Sequence, residues 1–339
     1  MSVDGLPKLS LRLHGGVDPR RCVELARHAE RYELFSVWFA ENPFNRGVLP
    51  AATACAAATE RLGIGIGVFN PYNRHPTLIA MEIGALDELA QGRARLGIGS
   101  GIASATERMG LAPDRPLAAV RDAITIVRAM LAGEEVTHVG RAFSANKAKL
   151  EYRPPRADMP LLMAARGEQA LALAGKIADG LMISNMCPPD FTRHAVAVMR
   201  NAAREAKRPP PSTVVQYVPC AVARDRVEAL RLAKRAIAEM LPGFWSLAQR
   251  VPTAKSALLR AEELTEADFA AAAERLRRGE DAVAVLDERF VAALAIAGTA
   301  DDCLTQARRY AEAGATELAL TFVGPQLQAE IELIAAAAA

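Results

Sequence analysis

Residues that can transfer a proton or hydrogen-bond to a substrate stand directly after short apolar runs of the sequence. Glu41 and Asn42 follow the run Phe35–Ala40, and His14 follows the run Leu9–Leu13. A carboxylate or an imidazole held at such a place can act as an acid or a base, or it can orient a substrate amine. The proline and aromatic residues around Glu41 indicate a walled pocket, whereas a solvated loop glutamate is the alternative interpretation. Glu41, Asn42 and His14 are therefore candidate catalytic residues.

A candidate anion site lies where a predicted strand runs straight into a predicted helix. Its four residues are Ala165, Arg166, Gly167 and Glu168. The free N–H groups at the start of a helix attract phosphate, and the Arg166 guanidinium adds two donors in a fork. The segment predicts a phosphate-binding site, with an ordinary strand-to-helix turn as the alternative.

Glycines are concentrated in two further segments. The run Leu62–Phe69 has glycine at alternate positions, and another run ends in Gly99, Ser100 and Gly101. Glycine inside a strand marks the close approach of another group, so the first segment either leaves room for a flat ring or packs against helices rich in alanine. The second segment allows backbone to lie near a ligand, but it lacks the later acidic residue of a dinucleotide-binding fingerprint.

Composition and charge exclude several classes of protein. The 41 basic and 39 acidic residues leave a formal net charge of +2, without the basic excess of a nucleic-acid binder. No run of apolar residues is long enough to span a membrane, and the first residues do not form a signal peptide. The histidines and the five cysteines show no metal-binding spacing, so we predict no metal site and five buried thiols in a cytoplasmic protein.

Apolar runs and helical patterns alternate along the chain. Eight runs are predicted as strands: Leu9–Leu13, Phe35–Ala40, Leu62–Phe69, Arg93–Ile98, Leu161–Ala165, Leu181–Ser184, Thr213–Ala223 and Glu317–Phe322. This alternation favours an α/β fold with a parallel sheet, and eight repeats favour a (β/α)8 TIM barrel over a doubly wound sheet. We expect one domain over residues 1–339, with a hairpin near 136–150 and a mostly helical insertion at about 227–297, before the last strand. In such a barrel the site lies where the strands end.

The stretch from residue 65 to residue 101 resembles the bacterial-luciferase-like flavin oxidoreductases. It is most similar to the branch of the coenzyme F420-dependent methylenetetrahydromethanopterin reductases. The matching motifs are Gly67-Val68, Asn70-Pro71-Tyr72, Leu86-Asp87-Glu88-Leu89, Gly92-Arg93 and Leu96-Gly97-Ile98-Gly99. Weaker matches extend the resemblance over nearly the whole chain.

The resemblance implies a flavin or deazaflavin bound at the mouth of the barrel. It implies a cis peptide bond between Gly67 and Val68 behind the ring of the cofactor, and phosphate at Ala165–Glu168. The cofactor-binding residues that it implies are Gly67, Val68, Asn70, Gly99, Ser100, Gly101, Ala165, Arg166, Gly167 and Glu168. It also implies a homodimer that transfers a hydride between coenzyme F420 and a small organic substrate.

Two departures from that branch affect the substrate. Glu41-Asn42 stands where the reductases have Asp-His, and Arg12 stands where they are expected to have a glutamate. The charge reversal at Arg12 argues against a tetrahydromethanopterin substrate, and Arg12 joins the candidate catalytic residues. The leading hypothesis is an F420-dependent oxidoreductase. The alternatives are an FMN-dependent monooxygenase of the same fold and a non-catalytic flavin-binding relative.

Overall fold

The computed structural model describes residues 5–261 and 263–338. It contains eleven strands: β1 Lys8–His14, β2 Ser36–Ala40, β3 Gly63–Phe69, β4 Ala94–Ile98, β5 Val136–Val139, β6 Ser144–Ala148, β7 Leu161–Ala164, β8 Gly180–Ile183, β9 Thr213–Val222, β10 Ile296–Gly298 and β11 Glu317–Phe322. Fourteen helices separate them: α1 Pro19–Arg31, α2 Val48–Ala58, α3 Pro76–Leu89, α4 Ala103–Arg108, α5 Pro116–Leu131, α6 Glu168–Ile177, α7 Pro189–Glu205, α8 Arg226–Ala248, α9 Pro252–Leu258, α10 Glu266–Arg277, α11 Ala282–Val285, α12 Glu288–Leu294, α13 Ala300–Glu312 and α14 Leu327–Ala338.

Eight parallel strands close into a barrel in the order β1-β2-β3-β4-β7-β8-β9-β11, with β11 pairing back to β1. The prediction of a TIM barrel is confirmed. The predicted hairpin is β5 and β6, which pair in antiparallel fashion outside the barrel. The short strand β10 pairs with β9 outside the ring, and the sequence interpretation missed it because three residues give too little alternation to detect.

Local sequence signals explain where several elements begin. Asp18 caps α1 by accepting a hydrogen bond from the Arg20 N–H, and Pro19 occupies the first turn. In β1 the residues Leu9, Leu11 and Leu13 face the surrounding helices and join the main apolar core. The intervening residues of β1 therefore face the interior of the barrel.

The helices between β9 and β10 form an apolar cluster of their own. Trp245 of α8 stacks on Phe269 of α10 at 5.9 Å between ring centroids, and Phe290 of α12 meets the same ring edge-on. The five cysteines are buried and free, as predicted. Among the described residues, no helix is both long and apolar enough to cross a membrane.

The base of the barrel, where the strands begin, is closed by one buried carboxylate. Oε1 of Glu317 accepts hydrogen bonds from the Ser10 and Ser36 hydroxyls, each at 2.7 Å, and from Trp38 Nε1 at 2.6 Å. Oε2 of the same carboxylate pairs with Arg95 at 2.6 Å. Side chains of β1, β2 and β4 therefore converge on Glu317 of β11.

The alternating glycines of β3 accommodate side chains of the protein itself. A Cβ atom at Gly65 would overlap the Trp38 indole, and one at Gly67 would overlap the Tyr217 hydroxyl. The flat ring beside Gly65 is thus Trp38, so these glycines do not primarily pack against helices. The interpretation that these glycines pack against helices is wrong, whereas the room for a flat ring exists at Gly65 and is filled by Trp38, a neighbour on the adjacent strand β2 that the sequence does not reveal.

The buried side chain of Glu330, in the first half of α14, predicts a stability that falls as the pH rises. Burial raises the pKa of Glu330 from its ordinary 4.5 to about 7. Below the ordinary pKa the carboxyl is neutral in both the folded and the unfolded states. As the pH rises from the ordinary pKa to the raised one, the carboxyl ionises in the unfolded chain but stays neutral in the folded protein. This difference lowers the free energy of unfolding by on the order of 3 kcal/mol once the pH exceeds both pKa values.

We therefore expect Glu330→Gln to raise the free energy of unfolding at pH 8 and to change it little at pH 4. Urea denaturation at the two pH values measures the difference. Glu312→Gln replaces an exposed carboxylate of α13 and is the matched control. An equal effect of Glu330→Gln at both pH values would contradict the assignment.

Candidate active site

Two basic side chains of β1 face the interior of the barrel near the mouth, the end where the strands finish. Arg12 donates through Nη1 to Thr321 Oγ1 at 3.0 Å, and its guanidinium lies 4.8 Å from the centroid of the Tyr217 ring. His14 lies further out, and its Nδ1 accepts a hydrogen bond from the Gly16 N–H at 3.0 Å. Burial lowers the pKa of Arg12, while desolvation and then the charge of Arg12 lower the pKa of His14.

Tyr217 joins the two sides of the barrel just below the mouth. Its hydroxyl, carried on β9, donates to the Gly67 carbonyl on β3 at 2.9 Å. The ring is buried, and this burial raises the pKa of the Tyr217 hydroxyl. The peptide bond between Gly67 and Val68 is cis, as the resemblance implied. The hydroxyl of Tyr217 therefore fixes the carbonyl that immediately precedes Val68.

Val68 and Ala164 form a small apolar platform at the mouth, and they pack over the buried Gly97 and Gly99. A Cβ atom at Gly99 would lie 3.0 Å from the Ala164 Cβ and 3.1 Å from Val68 Cγ2. Val68 and Ala164 pack on the apolar cluster inside the barrel, yet both remain partly exposed. The platform offers a surface without a projecting polar side chain, which suits one face of a planar ring.

The start of α6 leaves backbone donors available beside the platform. Gly167 precedes this helix, and no side chain caps its first N–H groups. Arg166 donates to Ser184 Oγ at 2.6 Å and to the Asn185 carbonyl at 2.9 Å, and it makes no ion pair among the described residues. The geometry suits the predicted phosphate site.

Glu41 lies in a cleft formed by the loops after β2 and β3. Arg74 Nη1 contacts both oxygens of the Glu41 carboxylate, at 3.1 and 3.2 Å, and Arg74 Nε pairs with Glu82 at 2.5 Å. Burial raises the pKa of Glu82, and the neighbouring carboxylate of Glu41 adds to that rise. The cleft has a volume of about 260 Å³, and Asn42 lines it as well. Glu41 is thus one member of a charged cluster, not an isolated acid.

The other predicted residues lie around the platform with different surroundings. Asn70 is buried. Its Nδ2 donates to Thr106 Oγ1 at 3.3 Å, and its Oδ1 accepts a hydrogen bond from the Tyr72 N–H at 3.0 Å. Gly101 has a φ of +66°, and a Cβ there would lie 2.5 Å from Asn70 Nδ2. Ser100 is half-buried.

Glu168 and Ala165 complete the predicted set. Glu168 is exposed, and its Oε1 lies 2.5 Å from His194 Nε2, so its carboxylate contacts α7. Ala165 is half-buried and donates its N–H to the Met182 carbonyl at 3.2 Å. None of these contacts assigns a cofactor, and the individual roles stay predictions.

Sequence reasoning missed three residues that hold the site together. Arg74 and Tyr217 stand within segments expected to carry chemistry, but nothing near them in the sequence indicates their partners. Thr321, at the end of β11, was not singled out at all. The partners of these residues, Glu41, Gly67 and Arg12, are 33, 150 and 309 positions away. Only the closure of the barrel brings such residues together.

A parallel (β/α)8 barrel with polar side chains collected at the carboxyl ends of its strands has the arrangement of barrel enzymes. The sequence comparison is more specific, because the model of the family described as luciferase-like monooxygenase matches residues 6–317. The chain belongs to this family of oxidoreductases.

Individual relatives narrow the comparison. The chain is 30% identical over 314 residues to 5,10-methylenetetrahydromethanopterin reductase of Methanolobus tindarius, covering 91% of this chain and 92% of that protein. Its fold is similar to that of the coenzyme F420-dependent tetrahydromethanopterin reductase of Methanopyrus kandleri, with a TM-score of 0.86, 25% identity and 97% of each chain covered.

A flavin-dependent neighbour shares the fold alone. The oxygenating constituent of 3,6-diketocamphane monooxygenase of Pseudomonas putida, solved in complex with FMN, has a TM-score of 0.70 and 18% identity over 97% of each chain. The fold is therefore common to proteins described with different cofactors.

The bond from Tyr217 to Gly67 predicts the effect of removing one hydroxyl. Tyr217→Phe should lower the free energy of unfolding by about 1 kcal/mol, because it leaves a carbonyl without its donor. Tyr310→Phe is the matched control, since the Tyr310 hydroxyl is also buried but has no hydrogen-bond partner among the described residues. Denaturant titration of both variants should show a loss only for Tyr217→Phe, and equal losses would contradict the structural role of that bond.

Proposed function

We propose that this protein is an F420-dependent oxidoreductase that transfers a hydride between the deazaflavin and a small organic molecule at the mouth of the barrel. The observation that carries the proposal is the pairing of a flat apolar platform with a free helix start on adjacent strands. The likeness to methylenetetrahydromethanopterin reductases over nine-tenths of the chain supports the choice of cofactor.

The residues at the mouth fit such a cofactor. The absence of a Cβ atom at Gly97 and Gly99 lets Met182, Val68 and Ala164 pack directly against the backbone of β4, and the partly exposed Val68 and Ala164 then present an apolar surface at the mouth. The start of α6, with Arg166 and Ser184, supplies donors for a phosphate. When bound, F420 supplies the carbon that gives or accepts the hydride. The protein's part is to hold the ring and the substrate face to face and to exclude water.

Within this proposal, Glu41 moves or holds a proton on the substrate side of the mouth. Arg74 keeps the Glu41 carboxylate in one orientation, with its side chain only 13% exposed. Asn42 lines the same cleft and can donate to or accept from a substrate. His14 faces the mouth from β1, and desolvation together with the charge of Arg12 lowers its pKa, which favours the neutral imidazole.

The small-molecule substrate follows from the relatives, whereas the homodimer and the cytoplasmic location rest on the resemblance and stay proposals. FMN is the second candidate cofactor, and the FMN complex of a protein with the same fold supports it. A non-catalytic flavin-binding protein is the third hypothesis, and it predicts cofactor binding without turnover.

Cofactor binding tests the proposal directly. The purified protein should quench the fluorescence of added F420 and bind it more tightly than FMN. Arg166→Gln should weaken F420 binding about tenfold or more, because it removes a charged donor to phosphate. Arg200→Gln changes an exposed arginine of α7 and is the control. Tight binding of FMN with no binding of F420 would move the protein to the FMN-dependent group.

Turnover tests the role of Glu41. Glu41→Gln should leave F420 binding intact and should reduce kcat by about 10²-fold or more, the usual contribution of a positioned acid or base. The control is Glu228→Gln, which removes a half-buried partner of Arg231 in α8, outside the residues proposed for catalysis. Single-turnover kinetics with F420, measured once a substrate is found, separate binding from chemistry. A kcat unchanged by Glu41→Gln would exclude Glu41 from the proton transfer.

A further inference from the structure

Arg12 is a cation inside the barrel mouth that lacks a counter-ion. Its guanidinium has one hydrogen bond, to the neutral Thr321 hydroxyl at 3.0 Å, and one stacking contact, with the Tyr217 ring at 4.8 Å. Its Nε atom is buried and has no partner. Within the part of the chain that the structure describes, Arg12 forms no ion pair. Several N–H donors of this side chain are therefore not used by the protein.

The carboxylates inside the barrel and at the neighbouring cleft are already paired with other arginines. Glu317 at the base of the barrel pairs with Arg95 at 2.6 Å. Glu41 in the cleft pairs with Arg74 at 3.1 Å. Each of these ion pairs involves a side chain less than one-fifth exposed, so the partners are not free to turn toward Arg12. No charge on the described chain compensates Arg12.

An arginine in this position is costly unless something binds it. The guanidinium stays protonated at any pH at which the protein is folded. Arg12 is half-buried, and removing part of a charge from water without pairing it is unfavourable, so an anion that pairs with it offsets this cost. Because the Tyr217 ring covers one face of the guanidinium, the unused N–H donors along its edge define the direction from which an anion can approach. Two parallel N–H bonds along that edge match the two oxygens of a carboxylate.

We propose that the substrate of this protein is an organic acid whose carboxylate pairs with Arg12. The inference rests on the proposed function, since it names the substrate class for the same mouth. It assigns the two arginines of the mouth to different ligands. Arg166, on the opposite side of the barrel beside the start of α6, serves the phosphate of the cofactor, and Arg12 serves the substrate.

His14 supplies a readout that does not depend on turnover. It is the next inward-facing residue after Arg12 on β1, and its pKa is lowered by burial and then by the charge of Arg12. Arg46 also lies nearby, with its guanidinium bonded to the Gly15 and Gly16 carbonyls at 3.2 Å each. An anion seated on Arg12 cancels part of this positive field, so the pKa of His14 should rise when the anion binds.

The test compares acids with their neutral amides. Isothermal titration calorimetry of the wild-type protein, with and without F420, measures acetate against acetamide, benzoate against benzamide and succinate against succinamide. We expect at least one carboxylate to bind about tenfold or more tightly than its amide, because a charge-assisted pair contributes more than a neutral hydrogen bond. The carboxylate should also raise the pKa of His14 in NMR titrations. Similar affinities for every acid and its amide would overturn the proposal.

Variants identify the residue that selects the acid. Arg12→Gln should abolish the preference for the acid, Arg12→Lys should retain part of it because the charge stays while the fork is lost, and Arg200→Gln should retain all of it. Retention of the full preference by Arg12→Gln would overturn the proposal. If Arg12→Gln does not fold, the comparison of acid with amide on the wild-type protein and the NMR titration of His14 still decide the matter.

Two further outcomes separate the possible sources of the anion. Competition between the carboxylate and F420 for the protein would assign Arg12 to the cofactor and would overturn the proposal. Inorganic phosphate that binds through Arg12 more tightly than every carboxylate would overturn it as well. A protein that binds carboxylates through Arg12 but does not bind F420 would leave this inference in place and would refute the proposed cofactor.

Discussion

The carboxylate of Glu317 is the constraint on which the inside of the barrel depends. Its donors come from β1, β2 and β4, while Glu317 itself begins β11, so one side chain joins four of the eight strands. Removing a partner from such a buried pair is strongly destabilising, because it leaves a charge without compensation. The registers of these four strands are thereby tied to one another near their first residues, and so are the inward-facing positions above Glu317 on the same strands.

The layers above Glu317 follow from this arrangement. Trp38 donates its indole N–H to the carboxylate, and its ring then fills the space that Gly65 leaves open. Tyr217 lies above the indole and donates to the carbonyl of Gly67. Each layer satisfies its polar groups with partners inside the protein until the layer of Arg12 is reached. The unused N–H donors of Arg12 therefore lie near the mouth of the barrel, where a ligand can enter.

The sequence predicts the elements of this fold better than the interior contacts. Alternating apolar residues give β1 and the other strands, and Asp18 followed by Pro19 marks the start of α1, because these signals act between neighbours in the chain. The cis peptide bond after Gly67 was predictable only through the resemblance to a family. The pairing of Glu41 with Arg74 was not predictable, since it forms only where two loops of the folded barrel lie next to each other. For the same reason the glycines of β3 suggested an external ring, although the nearest ring is Trp38.

The net charge of +2 conceals how the arginines of the barrel differ from one another. Arg95 and Arg74 are neutralised by carboxylates that the chain provides, and both therefore contribute to the architecture. Arg12 and Arg166 have only neutral partners among the described residues, and both lie at the mouth beside the apolar platform. Two uncompensated cations around an apolar surface favour the binding of a planar group together with two anionic groups, which two different ligands can supply. A phosphorylated ring cofactor together with an acidic substrate meets that requirement, whereas a neutral substrate would leave the half-buried Arg12 unpaired throughout the reaction.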